Sequence, residues 1–293
     1  MKKIAIYGKP YSNELNEEIS GLARMIRVKG MEPVFYERYS HFLRDNNFLS
    51  EEFSTFNREN VQIGEYSCLV SVGGDGTLLD TATLIKDSNV PVVGLNAGRL
   101  GFISSVSIDE FENVLSSLEA EDYEIDQRSL IRVETDRNIF GSLNFGLNEV
   151  TIHKKDTASM IKIEAYMDGE YLNTYWADGI IVSTATGSTA YSLSCGGPII
   201  VPGSENFVIT PIAPHNLNVR PVVVSNSVKL TLKADGRSDD FLIAIDSRPE
   251  ILMPNEEIHI FKEDFSLCLL QPKGHTFLNT MRNKLAWGLD KRN

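Results

Sequence analysis

The sequence is short of positive charge, of cysteine and of long apolar runs, and each shortage removes a class of protein. Its 28 lysines and arginines stand against 40 aspartates and glutamates, a formal net charge of −12. Non-specific nucleic-acid binding needs clustered cations to displace counterions, so no nucleic-acid partner is expected. No apolar stretch nears the roughly 20 residues that cross a bilayer, and no membrane partner is expected either. The opening MKKIAIYGKP has two lysines, a short apolar segment and no cleavage-site pattern, so a signal peptide is not expected. Three cysteines, Cys68, Cys195 and Cys268, are odd in number, far apart and without a C-x-x-C pair. Reduced thiols and a cytoplasmic location fit them best. Two familiar phosphate loops are missing as well. No lysine follows a glycine run as a Walker loop requires, and the first strand leads into YGKPYSNE, not G-x-G-x-x-G.

What is present suits a soluble two-domain protein. The 293 residues are 42% hydrophobic and 23% charged, near the globular average. In the first third, short apolar runs alternate with helical spacing. Ile4–Tyr7, Val34–Tyr36, Cys68–Val72 and Val92–Leu95 read as strands, while Leu15, Ile19, Leu22, Ala23 and Ile26 recur on one helical face. Ser107 with Glu110 three residues on is a capping-box signature for a helix through about Leu118. This alternation implies an α/β domain with a mainly parallel sheet over residues 1–126. From residue 127 to 272 the chain turns strand-rich and implies an all-β, sandwich-like domain. Asp168-Gly169 and Asp235-Gly236 read as two hairpin turns, and EIHIFK and FSLCLL as two separate strands. The segment 273–293 is helical again, with Phe277, Leu278, Met281, Leu285 and Ala286 on one face that must pack elsewhere, the first domain being the expected place.

The most informative stretch is SVGGDGTLLD, residues 71–80. It puts one carboxylate, Asp75, among Gly73, Gly74 and Gly76 at a strand's exit, where open α/β sheets bind ligands. Glycines let a phosphate reach backbone N–H groups, and Thr77 can cap the helix that follows. Asp75 then has two readings. It orients a hydroxyl nucleophile or holds Mg²⁺ during phosphoryl transfer, or it closes an Asx turn on its own backbone. The second stretch, ADGIIVSTATGSTAYSLSCGGPII, residues 177–200, is dense in small and hydroxyl side chains around Tyr191. Such a surface can read the edge of a flat base, although the same composition also marks ordinary loops. Asp178 before Gly179 is a turn former, or an acceptor if it faces a cleft. Adjacent Asn148 and Glu149 suit ribose hydroxyls, or are simply solvated.

Taken in order, GGDGT (73–77), NAGRLGF (96–102), NE (148–149), DG (178–179), TGSTAY (186–191), CGGPII and TPIAPHNLNVRP (210–221) resemble the NAD kinase family. The likeness runs from about Cys68 to the final helix. GGDGT is shared with lipid kinases; the TGSTAY and PHNLNVRP segments point to NAD kinases. The resemblance implies phosphoryl transfer to the 2′-hydroxyl of the adenosine ribose of NAD, giving NADP, with Mg²⁺ and with ATP or another donor such as polyphosphate. It makes Asp75 the catalytic carboxylate, with Gly74, Gly76 and Thr77 around it and Phe102 beside the dinucleotide. Asn148 and Glu149 would hold NAD, Thr189, Ala190, Tyr191 and Ser194 would surround the adenine, and Asp178 would meet the nicotinamide part. Arg220 or another basic residue would meet phosphate, because Trp176 stands where many relatives carry arginine; His215 lies in the same motif as Arg220. Ser247 replaces a glycine common among relatives. The strand-rich half would bind NAD, the last helix would return to the first domain, and the chain would assemble as a homodimer or homotetramer. A non-catalytic dinucleotide sensor and a lipid kinase are the rival readings.

Overall fold

The computed structural model describes residues 1–11, 14–59, 61–96, 101–155, 159–237, 240–271, 274 and 276–286. The chain divides into two units: Met1–Gln127 with Leu267–Asn293, and Arg128–Ser266.

In the first unit, β1 (Lys3–Gly8), β2 (Glu32–Tyr36), β3 (Ser54–Phe56), β4 (Tyr66–Val72) and β5 (Val92–Leu95) pair in parallel in the order β5-β4-β1-β2-β3. Ile4, Ala5 and Ile6 of β1, like Cys68 through Val72 of β4, are wholly buried. Consecutive buried residues mean that both faces of these strands are covered, which is why they read as unbroken apolar runs. The connecting helices are α1 (Ile19–Val28), α2 (Glu37–Asp45), α3 (Asp75–Ile85) and α4 (Phe111–Ala120). α1 buries Ile19, Leu22, Ala23 and Ile26, the stripe that the spacing predicts. Strand β3 has no counterpart in the sequence reading. It is a three-residue edge strand with only Phe56 buried, too short to show a period.

The capping box at Ser107 forms only by half. Glu110 accepts from the Ser107 N–H at 2.9 Å and from the Ser107 hydroxyl at 2.8 Å, but the N-cap position falls on Glu110 itself, with no side-chain cap bond. Residues 108–110 form a turn and α4 starts at Phe111.

The second unit contains β6 (Glu124–Thr135, entering from the first), β7 (Phe145–Gly146), β8 (Glu149–Lys154), β9 (Ile161–Met167), β10 (Glu170–Ala177), β11 (Gly179–Thr184), β12 (Asn206–Ile212), β13 (Val222–Ser225), β14 (Leu230–Asp235), β15 (Phe241–Ile245), β16 (Arg248–Leu252) and β17 (Glu257–Gln271). One antiparallel sheet runs β13-β12-β11-β8-β15-β16. The other runs β10-β9-β14-β17, with β6 beside β17. Ile152, Val182, Phe207 and Phe241 from the first share one core with Ile163, Tyr175, Leu232 and Ile260 from the second. The arrangement is a β-sandwich.

Two strand expectations need correction. Asp168 and Gly169 both have positive φ, 51° and 86°, and join β9 to β10 as a hairpin. Asp235-Gly236 does not repeat this. β14 pairs with β9 and β17, whereas β15 pairs with β8 and β16, so the chain changes sheets at this turn. Neither residue takes the positive φ that a type I′ turn demands. EIHIFK and FSLCLL are one 15-residue strand, β17, which carries the chain back to the first unit, where Leu269 pairs with Val92.

The last helix, α6 (Phe277–Leu285), is capped by Thr276, whose hydroxyl accepts from the Asn279 N–H at 3.2 Å. It belongs to the first unit, with Lys284 Nζ 5.9 Å from the Phe102 ring centroid. Ala286, expected on its apolar face, instead ends it at φ 54°. Leu278 is exposed, and the helix buries none of its residues in this chain. Residues 287–293 of the expected helix lie outside the described residues, as do 97–100 of the NAGRLGF segment.

Candidate functional site

At the exit of β4 the chain turns through Gly73, at φ 144°, where a Cβ would sit 2.5 Å from Thr77 Oγ1. Gly74 caps α3, and Asp75 and Gly76 open it. Gly74 and Gly76 are exposed, and the first amides of a helix lack intrahelical acceptors, so this end of α3 suits an anion. Thr77 is not the cap. It lies inside the first turn, buried, with its hydroxyl 3.4 Å from that of Tyr11.

Of the two sequence readings of Asp75, the structure overturns the Asx turn. Its carboxylate does not close an Asx turn on its own backbone; it reaches the segment after β5. Oδ2 accepts from the Phe102 N–H at 2.9 Å, and Oδ1 from those of Ile103 and Ser104 at 3.3 and 2.9 Å. Gly101 makes this approach feasible, because a Cβ there would lie 2.0 Å from Oδ1. Two carboxylate oxygens offer about four acceptor positions, so three bonds leave one for a ligand. The half-buried Phe102 is brought to Asp75 by the same contact.

In the second unit, Asn148 and Glu149 are buried at 8% exposure each, not solvated. Three elements hold them. Asp246, between β15 and β16 at φ 53°, accepts from the N–H groups of Leu147, Asn148 and Glu149 at 2.9, 2.8 and 3.2 Å. The Thr184 hydroxyl donates to the Leu147 carbonyl at 2.6 Å, and the Thr184 N–H to that of Asn148 at 2.8 Å. Gly187 packs so close that a Cβ would be 2.1 Å from the Asn148 carbonyl oxygen. Glu149 accepts from the Tyr191 N–H, and its Oε2 is buried without a partner. Burial first, and the Asp246 carboxylate second, push the Glu149 carboxyl up to about 8.

The TGSTAY segment forms a one-turn 3-10 helix, Gly187–Thr189, followed by the short α5 (Tyr191–Ser194). Thr189 and Ala190 are half-buried, Tyr191 and Ser194 exposed. Buried Ser192, which the sequence reading passed over, anchors the turn through a 2.8 Å contact with the Thr210 hydroxyl. This unit therefore brings Asn148, Glu149, Thr189, Ala190 and Tyr191 into one neighbourhood. Asp178 lies between β10 and β11, its carboxylate paired with Lys154 Nζ at 2.5 Å. The exposed Arg220 guanidinium donates to the carbonyls of Leu217 and Val219 at 2.6 and 2.8 Å and so braces its own loop. His215 is exposed, with its N–H bonded to the Trp176 carbonyl.

Family models match both halves of the chain: the ATP-NAD kinase N-terminal domain over residues 8–123 and the C-terminal domain over 147–270. The chain belongs to the NAD kinase family. Curated relatives include the NAD kinase of Cytophaga hutchinsonii, 43% identical over 99% of both chains, and that of Bacteroides fragilis (strain ATCC 25285), 37% identical over the same shares. Among solved structures, yeast NADH kinase complexed with NADH aligns with a TM-score of 0.86 at 21% identity, covering 99% of this chain and 89% of that one. An Archaeoglobus fulgidus NAD kinase in complex with ATP aligns at 0.73 and 24% identity, covering 97% of each. At these identities the structures speak for the fold.

Within that family frame, the residues that sequence reasoning missed are those that hold the motifs in place: Gly101, Thr184, Gly187, Ser192 and Asp246. Two signals were available. Gly101 and Gly187 sit inside the quoted motifs, and a glycine next to functional residues often marks close backbone approach. Asp246, remote in sequence from Asn148, carried no signal.

Proposed function

We propose that this chain transfers the terminal phosphoryl group of ATP to the 2′-hydroxyl of the adenosine ribose of NAD, giving NADP and ADP. The ribose oxygen forms a bond to the γ-phosphorus as the bond from that phosphorus to the β,γ-bridging oxygen breaks, and the hydroxyl proton leaves toward Asp75. A carboxylate is a weak base for an alcohol, so its proton transfer accompanies departure of the phosphoryl group; most of the acceleration comes from positioning and charge neutralisation. The three N–H bonds to Asp75 support this role by fixing the carboxylate while leaving one acceptor position for the hydroxyl.

Asn148, Glu149, Thr189, Ala190 and Tyr191 hold the dinucleotide, and the first-turn amides at exposed Gly74 and Gly76 face phosphate, with Thr77 and Phe102 shaping that end. Ser194, Asp178 and Arg220 stay in the proposal with narrower parts. Asp178 must share its carboxylate with Lys154, and Arg220 must leave its own loop carbonyls to reach phosphate.

Magnesium is the ion this chemistry calls for. Among the described residues no group of three or more His, Cys, Asp or Glu side chains could hold a metal. Mg²⁺ keeps several waters and is bound by one or two carboxylates plus nucleotide phosphates. With its one open acceptor position given to the hydroxyl, Asp75 would meet the ion only through a bound water, and the ion would supply charge neutralisation on the phosphates.

The carrying observation is the match of both family halves together with 43% identity along 99% of the chain to a curated NAD kinase. Incubation with NAD, ATP and Mg²⁺ should yield NADP, read with an NADP-specific dehydrogenase; polyphosphate in place of ATP tests the donor. Well-folded protein that binds NAD but makes no NADP from any donor is a sensor instead. Assembly as a homodimer or homotetramer and a cytoplasmic location complete the proposal. Among the described residues no helix is long and apolar enough to cross a membrane.

A further inference from the structure

We propose that Asp246 is a positioning residue for dinucleotide binding, acting through the Asn148–Glu149 pair whose backbone it clamps. The inference rests on the NAD kinase reading and deepens it. Asp246 sits 97 residues beyond Glu149, on the turn between β15 and β16, and its two oxygens take three consecutive N–H groups, from Leu147 to Glu149. The backbone contact is returned, since the Asp246 N–H donates to the Glu149 carbonyl at 2.9 Å. Gly146 keeps the approach open, because a Cβ there would stand 2.9 Å from Asp246 Oδ2. Arg248 on β16, which faces Asp246, donates to the carbonyls of Leu143 and Phe145 and secures the preceding segment.

The clamp has an electrostatic consequence. Two acids lie close together here, and they do not ionise independently. Burial pushes both carboxyls up, and the anion settles on the one with more N–H donors and with the Arg248 guanidinium beside it to oppose that push. Asp246 has three, while Glu149 has one, from Tyr191, and its Oε2 has none. Among the described residues, the groups facing Glu149 are Asp246 and, on α5, the Tyr191 N–H and phenol, none of them a cation. Glu149 therefore keeps its proton at neutral pH, and its carboxyl presents a donor beside an acceptor. That pairing complements a ribose hydroxyl or a base edge, each of which offers both. A carboxylate would offer acceptors alone and would stand near a second negative charge.

The test is NAD affinity against pH, from 6 to 9.5, by calorimetry and by KM in the coupled assay. In the unaltered protein, affinity should hold at low pH and fall about tenfold as Glu149 ionises near pH 8. Asp246→Asn removes the neighbouring charge, so the break should move down by about one pH unit. Its effect should fall on KM more than on kcat. Glu149→Gln, which always carries a donor and an acceptor, should erase the break, and it keeps the clamp if Asp246→Asn fails to fold. A uniform loss of affinity in Asp246→Asn with the midpoint unmoved would show a merely structural residue and overturn the inference. So would a pH-independent affinity in the unaltered protein, or a break that survives in Glu149→Gln. Absence of NAD binding and of NADP formation at every pH would instead sink the NAD kinase reading itself.

Discussion

Replacing Asp75 by asparagine separates its two duties. The carboxylate accepts three backbone N–H groups at 2.9, 3.3 and 2.9 Å. Hydrogen bonds to a charged partner contribute about 1.5–3 kcal/mol each, but the 3.3 Å bond is weak, and Asp75 is partly exposed, so water screens the rest. Asparagine keeps one acceptor oxygen and turns the other position into a donor facing an N–H. The expected local loss is about 2–3 kcal/mol, equivalent to roughly 30–150-fold easier opening of the segment after Gly101. Hydrogen exchange read by mass spectrometry on peptides covering 101–106 should accelerate by that factor. Peptides from β11 and β12 should not change. In the coupled assay kcat should fall by about 10²–10⁴, with KM for NAD altered only a few-fold. Unchanged exchange at 101–106 would refute the anchoring role. A loss confined to NAD affinity would show that Asp75 positions substrate and takes no part in the transfer.

Further consequences follow from the close contacts and the buried acid. Burial and Asp246 hold the Glu149 carboxyl up to about 8 in the fold, against 4.5 for a free glutamate. The folded chain thus retains a proton that the unfolded chain has released. The stability this group contributes is full below about 4.5 and falls as pH rises toward 8, by at most about 1.4 kcal/mol per pH unit and about 5 kcal/mol in all. Glu149→Gln should therefore gain urea resistance over the unaltered protein between pH 5 and pH 8; a constant difference across that range would contradict it. Gly187→Ala would put a Cβ 2.1 Å from the Asn148 carbonyl and should raise KM for NAD at least tenfold while leaving hydrogen exchange around Asp75 unaltered. Gly101→Ala, with its Cβ 2.0 Å from Asp75 Oδ1, should instead depress kcat, and an unaffected kcat would mean that Asp75 can leave the loop without cost.

The sequence by itself determined which segments are strands and helices wherever one period dominates. β1, β4 and β5 are continuous apolar runs because a covered parallel strand needs apolar residues on both faces. α1 shows its stripe, and Asp168-Gly169 turns because both residues tolerate positive φ. The motif order was equally legible, since glycines and a lone carboxylate at a strand's exit stand out along the chain. What partners those motifs take was decided only by tertiary structure. Asp75 bonds to Phe102, Ile103 and Ser104, and Asp246 to Leu147 through Glu149, across 27 and 97 residues at the nearest. No local pattern encodes such a pairing, because a carboxylate accepts from any N–H group that the fold presents to it. The same cause moved the Asp235-Gly236 turn from a hairpin to a change of sheet, and fused two apparent strands into β17. Backbone propensity allows either outcome there, and only packing of the two sheets on one core selects between them.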